Sequence, residues 1–163
     1  MKNKILIREI QALVSIAAKV IRNAVDDRLD AEKTGITALQ YGILRIIEHG
    51  PETITEISKK QMLDPSTLVP AVDTLERNGF ARRTKDPKDR RRTPVEITDQ
   101  GLALLARFPM LNEEDALVKA VNEMSEVHQQ QLLILLRELV GKLKSEAEVE
   151  ALSAGIQAEA QEE

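Results

Sequence analysis

The sequence contains no cysteine and no tryptophan, and its aromatic side chains amount to one tyrosine and two phenylalanines in 163 residues. Without a thiol, disulfides, zinc–thiolate sites and thiol-based redox sensing are excluded. With aromatics at 2%, an aromatic-stacking ligand pocket is not evident. No apolar run approaches the ~20 residues that a membrane-spanning helix requires. The opening stretch MKNKILIREI lacks the shape of a signal peptide, because Arg8 and Glu9 interrupt its apolar part. A cytoplasmic protein with no membrane partner is therefore expected. A glycine-rich phosphate loop and a nucleophile motif are also missing, so neither catalytic residues nor a cofactor are expected. His49 and His128 are too far apart in sequence to suggest a metal site. His49, next to Gly50, reads as a helix C-terminal residue favoured by the dipole, and His128 as a helix surface residue.

What is present is charge, unevenly placed. The chain carries a formal net charge of −4. Yet the stretch from Arg82 to Arg92 holds seven basic residues, Arg82, Arg83, Lys85, Lys88, Arg90, Arg91 and Arg92, against Asp86 and Asp89. From Ser145 to Glu163 there is no Lys or Arg and there are six Glu. An anionic partner would feel the local patch rather than the total, because screening limits its view to about 8–10 Å.

Hydrophobic periodicity predicts mostly helix. Leu6, Ile10, Leu13, Ala17, Val20 and Ala24 form a seam spaced by threes and fours, like that of a coiled coil. A helix over about 4–29 with this face needs a partner. A second helix begins at Thr37, which with Gln40 forms a capping box, and stops at Gly50-Pro51. Thr53 and Ile54 predict a short strand, with Thr55 capping a short helix from Glu56 to about Gln61. Asp64 as N-cap, Pro65 at the first helical position and Gly79 at the stop frame the next helix, with Leu68, Val72 and Leu75 on its core face. Two short capped helices separated by about three residues make a helix-turn-helix.

A hairpin follows, with arms Phe80 to Thr84 and Arg92 to Ile97 and Asp-Pro-Lys-Asp as its turn. The acids are expected to build and brace a tip whose basic residues point outward. Helix resumes at Asp99 and breaks at Phe108-Pro109, and a long final helix is predicted over about 113–145. Its apolar side includes Leu132, Leu136, Leu139 and Leu143. The tail 151–163 is acidic and rich in Ala, Glu and Gln.

Helix, helix-turn-helix, charged β-wing and long helix, in that order, resemble the MarR family of winged helix-turn-helix regulators over roughly residues 5–145. The stretch ITALQYGILRIIEHGPETITEIS looks like the family's first DNA-lobe helix running into its short strand. LERNGFARR looks like its Leu-Glu-x-x-Gly-hydrophobic-x-x-Arg, and DPKDRRRTPVEITDQG like its Asp-x-Arg wing followed by hydrophobic-Thr-x-x-Gly.

The resemblance implies a mainly α fold with a small β-wing. Residues 1–150 would form a single domain, with a winged helix-turn-helix lobe over about 36–101 and dimerisation helices over about 4–29 and 113–145. It implies a homodimer closed by segments carrying Leu6, Ile10, Leu13, Ala17, Leu132, Leu136, Leu139 and Leu143. Its partner would be double-stranded DNA with a pseudo-palindromic operator, and a small-molecule effector would commonly release it. By the Asp-x-Arg pattern, Arg91 is the candidate for a narrow A·T-rich minor groove and Asp89 the brace that aims it. Lys88, Arg90 and Arg92 would meet phosphates. Ser66 and Thr67, in the first turn of the second helix, can bond phosphate or base edges. Where the family often has Thr-Arg this chain has Val69-Pro70, which leaves more of the specificity to apolar contacts, such as Val69 with a thymine methyl, and to DNA shape. The alternative is a winged-helix protein that works mainly through protein contacts and binds DNA weakly or without specificity.

Overall fold

Three threonines punctuate the fold. The computed structural model describes residues 2–86, 89, 91–110 and 112–143. In it, Thr37, Thr53 and Thr98 each accept a backbone N–H through Oγ1, at 3.3 Å from Gln40, 3.3 Å from Glu56 and 3.1 Å from Gly101. Each cap contributes about 0.5–2 kcal/mol. They start α2 (Ala38–Glu48), α3 (Ile54–Gln61) and α5 (Asp99–Arg107). Before them lies α1 (Lys2–Ala31); between them stand α4 (Pro65–Arg77), β1 (Ala81–Arg83) and β2 (Val95–Ile97); α6 (Ala116–Asn122) and α7 (Glu126–Leu143) follow. The fold is mainly helical with a two-stranded antiparallel wing, in which Ala81 faces Ile97, Arg82 faces Glu96 and Arg83 faces Val95. The chain divides into two compact units, 1–118 and 119–163.

In the first unit α2 is the centre. It packs on α1, α3, α4, α5 and β2. Ile43, Leu44 and Ile47 are buried against Leu29, Ile57, Leu68, Val72, Leu75, Val95 and Leu105. Gly101 lets α5 close on the base of the wing: a Cβ there would lie 2.3 Å from the Phe80 carbonyl oxygen. Gly79, at φ +77°, turns the chain from α4 into β1, and the Thr98 hydroxyl donates to its carbonyl at 2.6 Å. The α5 end is tied to α2, because Arg45 Nη2 and the Tyr41 hydroxyl both donate to the Phe108 carbonyl. Arg28 of α1 grips Asp115 at 3.0 Å and the Pro109 carbonyl at 3.0 Å.

Four expectations change. The strand at Thr53-Ile54 is a single bridge one residue earlier, Glu52 with Val95, at 3.1 and 2.8 Å. Thr53 rather than Thr55 caps α3, because Glu56 stands three residues after it and completes the capping box. The long final helix is broken at residues 123–125. There Ser125 Oγ accepts the His128 N–H at 3.3 Å and begins α7. The Gln129 amide donates to the carbonyls of Val121 and Met124 at 2.9 and 3.1 Å, tying the start of α7 to the end of α6 and the turn after it. The wing arms are also shorter than predicted, at three residues each.

Candidate nucleic-acid interface

The helix-turn-helix is α3, the linker Met62–Asp64 and α4. Met62 adopts a left-handed conformation at φ 54°, which costs a non-glycine residue about 1–2 kcal/mol. Ser58 closes the turn, donating its hydroxyl to the Leu63 carbonyl at 2.5 Å and accepting the Leu63 N–H on its own carbonyl at 3.2 Å. Pro65 occupies the first position of α4, and Asp64 makes no side-chain cap bond. Leu68, Val72 and Leu75 face the core, which leaves Ser66, Thr67, Val69 and Pro70 exposed on the outer side. The three candidate contacts on α4 therefore lie on its solvent face. Helix α4 runs through Pro70 to Arg77, and the Thr74 hydroxyl donates to the Pro70 carbonyl at 3.0 Å.

In the wing, the basic run separates into two kinds of residue. Arg82 pairs with Glu96 across the strands at 3.0 Å. Arg83 pairs with Asp73 of α4 at 2.8 Å and with Glu76, and its N–H donates to Glu76 Oε1 at 2.7 Å. These two arginines fasten the hairpin together and to α4. At the other end Arg92 Nη2 reaches Glu56 Oε1 of α3 at 2.6 Å. Lys85, Asp89 and Arg91 are exposed. Among the described residues none forms an ion pair with the Arg91 guanidinium. Lys88 and Arg90 lie outside the described residues, as does Pro87.

The acids do build the tip. Asp86 Oδ1 accepts the Asp89 N–H at 3.2 Å, and Asp89 Oδ1 accepts the Arg91 N–H at 3.0 Å. Arg92 N–H donates to the Asp89 carbonyl at 2.9 Å, and Asp86 N–H donates to the Arg92 carbonyl at 3.3 Å. Asp89 thus fixes the main chain of Arg91 and leaves its side chain to solvent.

Residue-by-residue reading of the sequence missed the acids that receive these arginines: Glu56, Asp73, Glu76 and Glu96. Glu56 had a local signal in the pattern Thr53-x-x-Glu56. Its carboxyl is held below the ordinary value of 4.5, first by the Thr53 backbone N–H, then by the Thr53 hydroxyl, with the Arg92 charge adding to them. Glu96 becomes visible only when the strands pair, and Asp73 and Glu76 only when α4 packs on β1.

The apolar seam residues Leu6, Ile10, Leu13 and Ala17 are exposed on α1. On α7, Leu132, Leu136 and Leu143 are exposed and Leu139 is half-buried. A cleft of about 280 Å³ between the turn after α1 and helix α5 has Phe80 and Leu104 among its apolar walls and Lys33, Arg107 and Glu32 among its charged ones. Among the described residues no group of three or more His, Cys, Asp or Glu could hold a metal ion, and no helix is long and apolar enough to cross a membrane.

The model of the MarR family matches residues 36–93, which run from the residue before the α2 cap through the wing tip. The HTH-type transcriptional regulator YkoM of Bacillus subtilis is 28% identical over 109 residues, covering 66% of this chain and 70% of that protein. The HTH-type transcriptional repressor MdtR of Bacillus subtilis is 31% identical over 102 residues, 55% of this chain and 66% of that one. Among solved structures, the MepR–DNA complex of Staphylococcus aureus superposes with a TM-score of 0.71 at 23% identity, over 82% of this chain and 96% of that chain. With the helix-turn-helix, the wing and these matches together, the chain carries, over residues 36–93, the winged helix-turn-helix lobe of the MarR family of transcriptional regulators.

Proposed function

We propose that the protein represses transcription as a homodimer on a pseudo-palindromic operator and that a small molecule releases it. The observation that carries the DNA reading is the pairing of two exposed features on one rigid lobe. Ser66, Thr67 and Val69 lie on the outer face of α4, and Arg91 lies exposed on a tip whose backbone the acids hold. Phosphate attraction through Lys88, Arg90 and Arg91 would give the sequence-independent part of binding. Arg91 in a narrow A·T-rich minor groove, aimed through Asp89, and Val69 against a thymine methyl would give the sequence-dependent part. Arg92 belongs to the same surface, with its charge shared with Glu56.

Repression is carried over from the relative named as a repressor. Dimerisation is supported by the apolar faces of α1 and α7, which a monomer would leave in water. The cleft beside Phe80 suits an anionic organic effector through Lys33 and through Arg107, whose 3.5 Å pair with Glu32 is exposed, and Phe80 begins the segment that carries the wing.

Selection of bound sequences from a random duplex pool, repeated with candidate anionic effectors, tests the reading. Recovery of a two-fold-related motif with half-sites roughly one helical turn apart, lost in the presence of one effector, supports it. The exposed apolar patch of Met62, Val69 and Pro70 favours a second reading, a protein-docking surface on α4. No enrichment and no retarded duplex at low salt would select that one.

A further inference from the structure

Helices α2 and α3 begin with the same device, built with one difference. In α2 the Thr37 N–H is answered by the amide oxygen of Gln40 at 2.8 Å. In α3 the Thr53 N–H and hydroxyl are answered by Glu56 Oε2 at 2.7 and 2.8 Å. A neutral amide completes a capping box, as Gln40 does, so the cap alone does not require a carboxylate at position 56. The second oxygen serves a different partner. Glu56 Oε1 lies 2.6 Å from Arg92 Nη2, 36 positions further along the chain.

Arg92 is the residue on which the tip closes. Its carbonyl receives the Asp86 N–H, its N–H reaches the Asp89 carbonyl, and Arg91 is its neighbour. A second acid stands further off, Asp86 Oδ2 at 3.9 Å from Arg92 Nε, while Glu52 is occupied by Lys60 at 2.6 Å. Side chains of Glu56 and Arg92 are 38% and 46% exposed, so their pair is solvent-screened and contributes little to global stability. What it sets is geometry and charge.

We propose that Glu56 is a positioning residue for DNA recognition: held by the α3 cap, its carboxylate clasps Arg92, orients the tip that carries Arg91, and withholds the Arg92 charge from phosphate. The clasp rests on the DNA-binding reading given above. Its consequences are two. A wing arginine free to meet any phosphate strengthens binding to every sequence alike and leaves the operator-to-random ratio as it was. A tip no longer clasped by Glu56 carries Arg91 out of its aim, and that loss falls on the operator alone and lowers the ratio.

The test compares the full-length parent with Glu56→Gln, Arg92→Ala and the double variant, on the selected operator and on random duplex across a salt series. Glu56→Gln keeps the cap, by the precedent of Gln40, and removes the nearer of the two acids on Arg92, leaving only the longer 3.9 Å approach of Asp86 to hold it from phosphate. Random duplex should then bind more tightly, and the slope of log K against log salt should steepen by about 0.9 per subunit, one phosphate contact. The operator-to-random ratio should fall. Arg92→Ala alone should leave the parent's slope unchanged, and the double variant should return to that slope. An unchanged slope in folded Glu56→Gln overturns the clasp. So does a slope reduced by about 0.9 per subunit in Arg92→Ala, because Arg92 would then already meet phosphate. If Glu56→Gln fails to fold, Arg92→Ala decides by the same criterion. A parent that binds no duplex at low salt removes both the DNA reading and the clasp; a parent that binds, with variants out of pattern, removes the clasp alone.

Discussion

A single carboxylate oxygen of Asp89 holds the Arg91 main chain in the wing tip, and this makes a sharp mutational test. Arg91→Ala should cost on the order of 1–3 kcal/mol of operator affinity per subunit, more on A·T-rich flanks. Asp89→Ala should also weaken binding, although it removes a negative charge near DNA, because the bond to the Arg91 N–H is lost. Asp89→Asn keeps an acceptor oxygen at the same place and should retain the parent's affinity or exceed it. Titration of these variants against labelled operator checks the series; tighter binding by Asp89→Ala would show that the acid only shapes the turn. Glu56 gives a second residue-scale test. Its folded pKa is depressed, so its contribution to stability is complete above the ordinary carboxylate value of 4.5 and is lost as pH falls through the lower folded value. Urea unfolding of the parent from neutral to about pH 3 should show that acid-side loss, and Glu56→Gln should lack the corresponding part of it.

Among the elements, α5 depends on a missing side chain. A Cβ at Gly101 would stand 2.3 Å from the Phe80 carbonyl oxygen and 2.6 Å from Ile97 Cγ1, and backbone cannot yield as a flexible side chain does. Gly101→Ala should therefore push α5 from the base of the wing and destabilise the lobe by about 1–3 kcal/mol, read as a lower denaturation midpoint. The run between α6 and α7 shows why helix boundaries differ in legibility. Thr37 with Gln40, and Asp64 with Pro65, announce helix starts by local chemistry, and both starts are where the sequence places them. Apolar spacing carries straight through residues 123–125, because periodicity registers a face and not a break. The cap at Ser125 and the Gln129 bonds to two carbonyls decide it.

At the scale of the whole molecule, the proposed dimer turns on exposed leucines. Leu136 is 43% exposed on the chain as it stands, so a monomer would accept a charge there. Leu136→Asp should instead abolish dimerisation or folding, since a second copy would bury the unpaired carboxylate. Sedimentation equilibrium distinguishes the cases: a folded, monomeric parent at micromolar concentration would contradict the dimer, and a Leu136→Asp protein still dimeric would move the interface elsewhere.

Sequence alone determined the helix-turn-helix, the place of the wing and the core face of α4, because caps, turn residues and hydrophobic spacing act within a few positions of themselves. It also exposed the tip's Asp86 and Asp89 as turn builders, whose bonds span two or three residues. The fate of the basic run was decided by tertiary structure. Seven like-looking Lys and Arg in eleven positions carry no mark of their partners. Folding brings Glu96 opposite Arg82, sets Asp73 and Glu76 beside Arg83, and delivers Glu56 to Arg92. An ion pair needs only proximity in space, and sequence separation up to 36 residues is no obstacle once the strands pair and the segment leading into α3 meets β2 through Glu52 and Val95.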